Sequence, residues 1–272
     1  MSTTQTTNNI KTTTESQGVT QDLIVILDSS GSMSSMGAEP LESLNGFIKE
    51  QQSIGGDATF SLWMFDSNVR SIIDDVPLSD VKPITEYKPK NMTALNDAIG
   101  KAIMTKLAKS KNDNVVCLVI TDGLENSSSM YTKKAIRDMI ETCEKQKNWK
   151  FIFMGANQDV FQEGSAMGFN MNRCATYDQQ TPGNLRRESH KVSDSVMQYR
   201  SSTLTSANPE HIELALDYSH EKVDSFFGIA PSLSPSLSPS LSPSVAPSLG
   251  LRQKTSVEVI SNRDMRQSPL LV

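Results

Sequence analysis

The segment from Leu23 to Leu27 consists of five apolar residues and ends abruptly on Asp28, Ser30 and Ser32. An apolar run of this length, bounded by polar residues, is typical of a strand buried on both faces of a parallel sheet. The end of such a strand delivers one carboxylate and two hydroxyls to the edge of the sheet. Because Mg²⁺ prefers oxygen ligands, this pattern predicts a site for a hard cation.

Two further segments carry oxygen ligands in suitable places. Thr93 lies in a loop that opens a predicted helix, and the apolar run 115–120 ends on Thr121, Asp122 and Gly123. The carboxyl ends of neighbouring parallel strands share one crevice, which is where ligands bind in open α/β sheets. We therefore expect the five candidate ligands to converge there: Asp28, Ser30, Ser32, Thr93 and Asp122.

Strand and helix patterns alternate along the middle of the chain. The pattern predicts strands at 22–28, 58–65, 68–74, 114–121 and 149–155, with a weaker sixth at 171–176. Helices fit between and after them at 41–52, 94–109, 131–147, 158–167 and 182–200. This alternation predicts an α/β fold with a doubly wound, mostly parallel central sheet and helices on both faces.

The two ends of the chain have a different composition. Residues 1–20 are polar and are predicted to form a disordered N-terminal arm. Residues 203–229 have apolar positions at roughly helical spacing, which predicts an amphipathic helix that either docks on the domain or binds a partner. Residues 230–272 begin with a Pro-Ser-Leu-Ser repeat and are predicted to form an extended, low-complexity linker and a disordered tail.

The Asp-x-Ser-x-Ser motif, the distant threonine and the Thr-Asp-Gly after a buried strand together resemble the von Willebrand factor A domain and its metal-ion-dependent adhesion site. The resemblance covers roughly residues 21–201, predicts a domain at 21–202 and includes all five ligand positions without substitution. It implies a Rossmann-like fold with an antiparallel hairpin, 60–73, at one edge of the sheet. It also implies direct metal contacts from the hydroxyls and partly water-mediated contacts from the two aspartates.

In function, the resemblance implies recognition of a protein partner through Mg²⁺ or Mn²⁺, with a Glu or Asp of the partner completing the coordination. Glu125 and Asn126 follow Asp122 on the same rim, and we expect them to shape the choice of partner. A scaffold or accessory subunit of a larger machine, such as an ATPase complex, is an alternative, because such proteins keep the site and use it on a fixed partner.

Other interpretations leave part of the pattern unexplained. If Asp28, Ser30 and Ser32 merely cap a helix and form a turn, Thr93 and Asp122 have no role. A serine hydrolase needs a nearby histidine, yet all three histidines lie outside the core pattern. A Mg²⁺-dependent phosphatase of the haloacid dehalogenase type needs a second acid where Ser30 stands. We therefore expect no enzymatic activity.

Bulk properties narrow the class of partner. The net charge is −5, from 26 basic and 31 acidic residues, so no long-range positive field attracts nucleic acid or an acidic membrane. The chain has no apolar stretch long enough to span a membrane and no signal peptide pattern. The three cysteines show no Cys-x-x-Cys spacing. We expect a cytoplasmic protein that binds neither nucleic acid nor membrane.

Overall fold

A computed structural model describes residues 20–109, 113–204 and 216–217. Six strands form one sheet in the order β3-β2-β1-β4-β5-β6. Neighbouring strands are parallel except β2 and β3, which form an antiparallel hairpin at one edge. The predicted fold class and the edge hairpin are confirmed. The strands are β1 Gln21–Asp28, β2 Ala58–Phe65, β3 Val69–Pro77, β4 Val115–Thr121, β5 Trp149–Ala156 and β6 Cys174–Tyr177.

Five α-helices cover the two faces of this sheet, close to their predicted positions. The first begins two residues earlier than predicted because Pro40, which has no N–H to pair, is tolerated in the first turn. Among the described residues, no helix is long and apolar enough to cross a membrane. The helices are α1 Glu39–Ser53, α2 Leu95–Lys109, α3 Lys133–Gln146, α4 Asn157–Ala166 and α5 Asn184–Leu204.

The structure corrects the sequence analysis in three places. The sixth strand begins only at Cys174, because Met171–Arg173 form a 3-10 turn in which the Asn170 side chain accepts a hydrogen bond from the Asn172 N–H. The third strand continues to Pro77 rather than ending at residue 74. A 3-10 helix, Gly31–Met36, follows the Asp-x-Ser motif and was not predicted.

The central strand β1 shows why its apolar run is uninterrupted. Leu23, Val25 and Leu27 pack into one core with α1 and α5, whereas Ile24 and Ile26 pack into a second core with α2 and α3. Both faces of the strand are therefore covered, and all eight of its residues are buried. Packing on both faces holds β1 in place, so Asp28 has a defined position at the carboxyl end of the strand.

The last helix, α5, packs onto the domain beside α1. Its side chains Leu185, Val192 and Val196 belong to the core beside α1. Arg200 is 1% exposed and donates hydrogen bonds to Gln21 Oε1, to the Gln51 carbonyl and to the Gly55 carbonyl. These bonds attach the end of α5 to β1 and to the end of α1.

The predictions for the chain ends fall mostly outside the described residues. The N-terminal arm through residue 19 and the linker and tail at 230–272 lie outside them. Of the predicted amphipathic helix at 203–229, only 203–204 and 216–217 are described. Within that part, Leu216 is 1% exposed and packs into the core beside α1.

Two helical glycines provide a matched test of the packing. A methyl group on Gly100 of α2 would lie 2.6 Å from the Tyr131 ring, whereas one on Gly46 of α1 would meet nothing within 4 Å. We expect Gly100→Ala to lower the free energy of unfolding by about 1–3 kcal/mol through overpacking. Gly46→Ala should raise it by roughly 0.4–1 kcal/mol because the unfolded chain loses freedom. Urea unfolding of both variants measures these changes. Equal effects on the free energy of unfolding would contradict the close contact between Gly100 and Tyr131.

Candidate metal centre

Asp28 is held rigidly at the carboxyl end of β1. Its Oδ1 accepts a hydrogen bond from the Ser30 N–H at 2.6 Å, and its Oδ2 accepts one from Thr121 Oγ1 at 2.6 Å. The Tyr87 hydroxyl donates to the main-chain carbonyl of Asp28, also at 2.6 Å. Because strands β1 and β4 are paired up to Leu27 and Ile120, the side chains at their ends meet.

The hydroxyls of the Asp-x-Ser-x-Ser motif connect the ends of the two strands. Ser30 Oγ and Ser32 Oγ are 3.1 Å apart, and Ser32 Oγ donates to Asp122 Oδ1 at 2.7 Å. The 3-10 helix Gly31–Met36 turns the chain immediately after the strand, which lets both serines face the same side. Three of the predicted ligands therefore form one connected group beside Asp28.

Thr93 borders the same space from the loop before α2. A methyl group on Gly123 would lie 3.3 Å from Thr93 Oγ1 and 3.7 Å from Ser32 Oγ. The two hydroxyls therefore face the same position next to Asp122, and the absence of a side chain on Gly123 leaves that position open. The structure brings all five predicted residues together, and their role as metal ligands stays a prediction.

Glu125 and Asn126, the predicted partner-binding rim, hold the Thr93 loop in place. Asn126 Oδ1 accepts a hydrogen bond from the Thr93 N–H at 2.8 Å, and the Thr93 carbonyl accepts from the Asn126 N–H at 3.1 Å. Glu125 Oε2 accepts from the Asn96 N–H at 2.8 Å at the start of α2. These contacts position Thr93, while a role of the two side chains in binding a partner stays a prediction.

Two other aspartates near this edge have structural roles. Asp66 accepts hydrogen bonds from the Asn68 N–H at 2.7 Å and from Arg70 Nη1 at 3.0 Å, which is the predicted hairpin turn. Asp97 accepts hydrogen bonds from the main-chain N–H groups of residues 129–131, at 2.9–3.0 Å. Neither carboxylate is among the candidate ligands.

The two carboxylates of the site are buried, and neither forms an ion pair with a described residue. Burial raises the pKa of Asp28 to about 6, against the opposing effect of hydrogen bonds from Thr121 and Ser30. Burial also raises the pKa of Asp122, although the hydrogen bond from Ser32 opposes it. Asp122 Oδ2 is buried and has no hydrogen-bond partner within the described residues. An unpaired buried carboxylate oxygen is costly, so a cation bound beside Asp122 would stabilise the folded chain.

The donor set fits a hard divalent cation. Two carboxylates and three hydroxyls offer only oxygen atoms, which suit Mg²⁺ or Mn²⁺ better than softer metals. Among the described residues, no group of three or more His, Cys, Asp or Glu side chains is suited to a metal. A metal held here would thus depend on the hydroxyls as well as the acids, and the unpaired oxygen of Asp122 would gain a partner.

Two residues that support the site, Thr121 and Tyr87, were not among the predicted site residues. Thr121 was seen only as part of the Thr-Asp-Gly motif, although a hydroxyl residue at the end of a buried strand is a usable signal. Tyr87 lies in the connection between β3 and α2, where no pattern marks it. Both act on Asp28 through contacts between segments far apart in sequence.

The family model of the von Willebrand factor type A domain matches residues 22–189. A comparison with curated proteins found no match. Among solved structures, the pilus adhesin SpaC of Lactobacillus rhamnosus GG has a TM-score of 0.56 at 10% identity, covering 67% of this chain and 30% of that chain. The von Willebrand factor domain of the pilus tip protein Mfa5 of Porphyromonas gingivalis has a TM-score of 0.53 at 11% identity, and the match covers 66% of this chain and 95% of that chain.

A third structure is proximal thread matrix protein 1 from the mussel byssus, solved with a zinc-occupied metal-ion-dependent adhesion site. It has a TM-score of 0.47 at 17% identity, and the match covers 65% of this chain and 48% of that chain. This chain thus spans less than half of several proteins that it matches, including SpaC and the byssus protein. The likeness to SpaC and Mfa5 concerns the fold. Because the family model matches more than half of its residues, the chain belongs to the von Willebrand factor type A domain family.

Proposed function

We propose that this chain recognises a protein partner through a divalent metal and has no catalytic activity of its own. Domains of this family commonly take part in protein–protein interaction and typically bind a divalent metal. In this proposal, the five oxygen-bearing side chains hold Mg²⁺ or Mn²⁺, and a Glu or Asp of the partner binds the same ion. The five are Asp28, Ser30, Ser32, Thr93 and Asp122.

The observation that carries the proposal is the unpaired Asp122 Oδ2 beside the hydroxyls of Ser32 and Thr93. The two carboxylates of the site together carry two negative charges, which neutralise one divalent cation without any surplus negative charge. A bound Mg²⁺ or Mn²⁺ would supply an electrophilic position that accepts a further carboxylate. Gly123 has no side chain that would fill the space beside Thr93 and Ser32.

The surroundings of the site favour binding over hydrolysis. His190 is the one histidine in the described part of the chain, and its Nδ1 contacts Glu50 on α1 at 2.9 Å. Ser30 contacts Asp28 and Ser32, and Ser32 also contacts Asp122, so neither serine contacts the histidine base that a nucleophile needs. A cytoplasmic location, and the absence of nucleic-acid and membrane binding, remain predictions.

Thr93→Val tests the metal site directly, because valine keeps the shape of threonine and removes its hydroxyl. We expect the dissociation constant for Mn²⁺, measured by titration calorimetry, to rise by about tenfold or more, since each 1.4 kcal/mol of lost interaction is tenfold. Ser34→Ala is the matched control, because that hydroxyl bonds to the Gly31 carbonyl and is exposed. Unchanged Mn²⁺ binding in Thr93→Val would contradict the predicted ligand set.

The partner itself can be sought by affinity capture from native lysate with the parent chain in Mg²⁺, with the parent chain in EDTA, and with Thr93→Val in Mg²⁺. A protein retained only by the parent chain in Mg²⁺ supports metal-dependent recognition. A stable complex that survives purification in EDTA would favour the alternative of a scaffold subunit. Equal retention in all three conditions would contradict the metal-dependent proposal.

A further inference from the structure

Next to the candidate metal centre, Ser29 is contacted by a basic side chain. Arg70, near the start of β3, donates from Nη2 to Ser29 Oγ at 3.1 Å and from Nη1 to Asp66 at 3.0 Å. Its side chain is 39% exposed. A guanidinium has five N–H donors, so this one keeps donors available on the solvent side. Ser29 lies between the ligand candidates Asp28 and Ser30, which places Arg70 at the border of the site.

The loop before Thr93 brings a second basic residue to the same border. The Lys90 N–H donates to the Ser29 carbonyl at 2.9 Å, and the Gly31 N–H donates to the Asn91 carbonyl at 3.0 Å. Asn91 has a φ of 64°, a left-handed conformation that non-glycine residues seldom adopt. The loop that carries Lys90 is thus fixed against the metal-binding turn.

Lys90 differs from most charged groups at this edge. Its side chain is exposed, and its ammonium forms no ion pair with a described residue. The nearby carboxylates of Asp66, Asp97 and Glu125 already accept hydrogen bonds from the chain itself. Two basic residues, Arg70 and Lys90, therefore lie beside the metal-binding turn of a chain whose net charge is −5.

We infer that Lys90 and Arg70 form a second contact site for the partner and select a protein segment that carries further acidic side chains beside the Glu or Asp that binds the metal. This inference rests on the proposed function and specifies its partner. Two cations are few for a nucleic acid, whose binding relies on contacts to several phosphates. A short acidic peptide segment matches the size of this patch.

Two biotinylated nine-residue peptides test the inference on a biosensor at high surface density. They are identical except that one has a single central Glu and the other has additional Glu residues two positions to either side. In Mn²⁺, we expect the full chain to bind the triple-Glu peptide about 3- to 10-fold more tightly, since a partner's rim charges each add a modest amount. Lys90→Gln should remove most of this preference.

Lys82→Gln is the matched control. Lys82 is an exposed lysine of the same connection, but it lies close to the end of β3, at the opposite end of the strands from the candidate metal centre. Mn²⁺ titration of each variant separates loss of metal from loss of a peripheral contact. Arg70→Gln, with its folding checked by circular dichroism, should also reduce the preference.

The outcomes distinguish this inference from the proposed function. If both peptides bind equally well and only in Mn²⁺, the metal-dependent function stands and the acidic-segment inference is wrong. If neither peptide shows Mn²⁺-dependent binding, both are wrong. If single-stranded DNA or phosphatidylserine vesicles bind in a Lys90-dependent manner without Mn²⁺ and the peptides do not, the basic residues serve a phosphate ligand instead, and the inference is overturned.

Discussion

Replacing Asp122 by asparagine should abolish stabilisation by Mn²⁺ and leave the metal-free protein at least as stable as the parent chain. Asp122 is buried, its Oδ2 has no partner among the described residues, and burial raises its pKa. Folding the metal-free chain with this group ionised therefore costs free energy, which the neutral amide avoids. The same substitution removes one of the two charges that would attract the cation.

The parent chain should respond strongly to the metal. A ligand at about 100 times its dissociation constant stabilises a protein by about 2.7 kcal/mol. For a domain of this size, this corresponds to an increase in Tm of about 5–10 °C, at roughly 2–4 °C per kcal/mol. Thermal unfolding followed by circular dichroism, with Mn²⁺ and with EDTA, measures the difference.

Asp138→Asn is a suitable control, since it changes the charge equally at a side chain that is 60% exposed on α3. It should keep the full response of the parent chain to Mn²⁺. If Asp122→Asn also kept this response, Asp122 would not belong to a metal site. If its metal-free form were several degrees less stable than the parent chain, the unpaired carboxylate would not be a cost to folding.

The position of the site was predictable because its main determinants are local in sequence. The apolar run 23–27 can be buried on both faces only in the centre of a sheet, and this places Asp28 at the sheet's edge. The run 115–120 places Asp122 in the same way. Thr93 could be included because it opens an amphipathic helix, α2, whose apolar stripe requires it to pack on the sheet.

The contacts that support the site were not predictable, because they depend on which strands pair and in which register. Thr121 reaches Asp28 because β1 pairs with β4 up to Leu27 and Ile120. A shift of one residue would turn the side chain to the opposite face. The contact between Tyr87 and Asp28 depends on the path of an irregular connection, for which the sequence contains no periodic signal.

For the same reason, the sequence did not predict a buried ion cluster at the opposite end of the strands from the candidate metal centre. Substitutions in this cluster should have the largest effect on stability. Lys106 Nζ on α2 lies 2.7 Å from Asp22 Oδ2 and 2.5 Å from Asp75 Oδ1. The side chains of Lys106 and Asp22 are 5% and 3% exposed. Thr59 Oγ1 lies 2.6 Å from Asp22 Oδ1 and 2.9 Å from Asp75 Oδ1, so the two aspartates compete for its single proton.

Lys106→Met should lower the free energy of unfolding by about 3–5 kcal/mol, because removing one partner of a buried ion pair leaves uncompensated charge. Methionine fills a similar volume, so the effect does not come from a cavity. Urea unfolding at neutral pH measures it. The double variant Lys106→Met with Asp22→Asn should recover part of the loss, because it removes one of the two negative charges that Lys106 neutralises.

Lys109→Met is the matched control, since Lys109 lies one turn further along α2 and also pairs with an aspartate of β3, Asp74. Its side chain is 45% exposed, so this pair should contribute at most about 1 kcal/mol. Equal losses in the two lysine variants would mean that burial does not set the contribution of Lys106. The cluster and Asp28 lie at opposite ends of the strands, so variants of the cluster that remain folded should bind Mn²⁺ like the parent chain. A change in the stability of the domain would then occur without a change in its affinity for the metal.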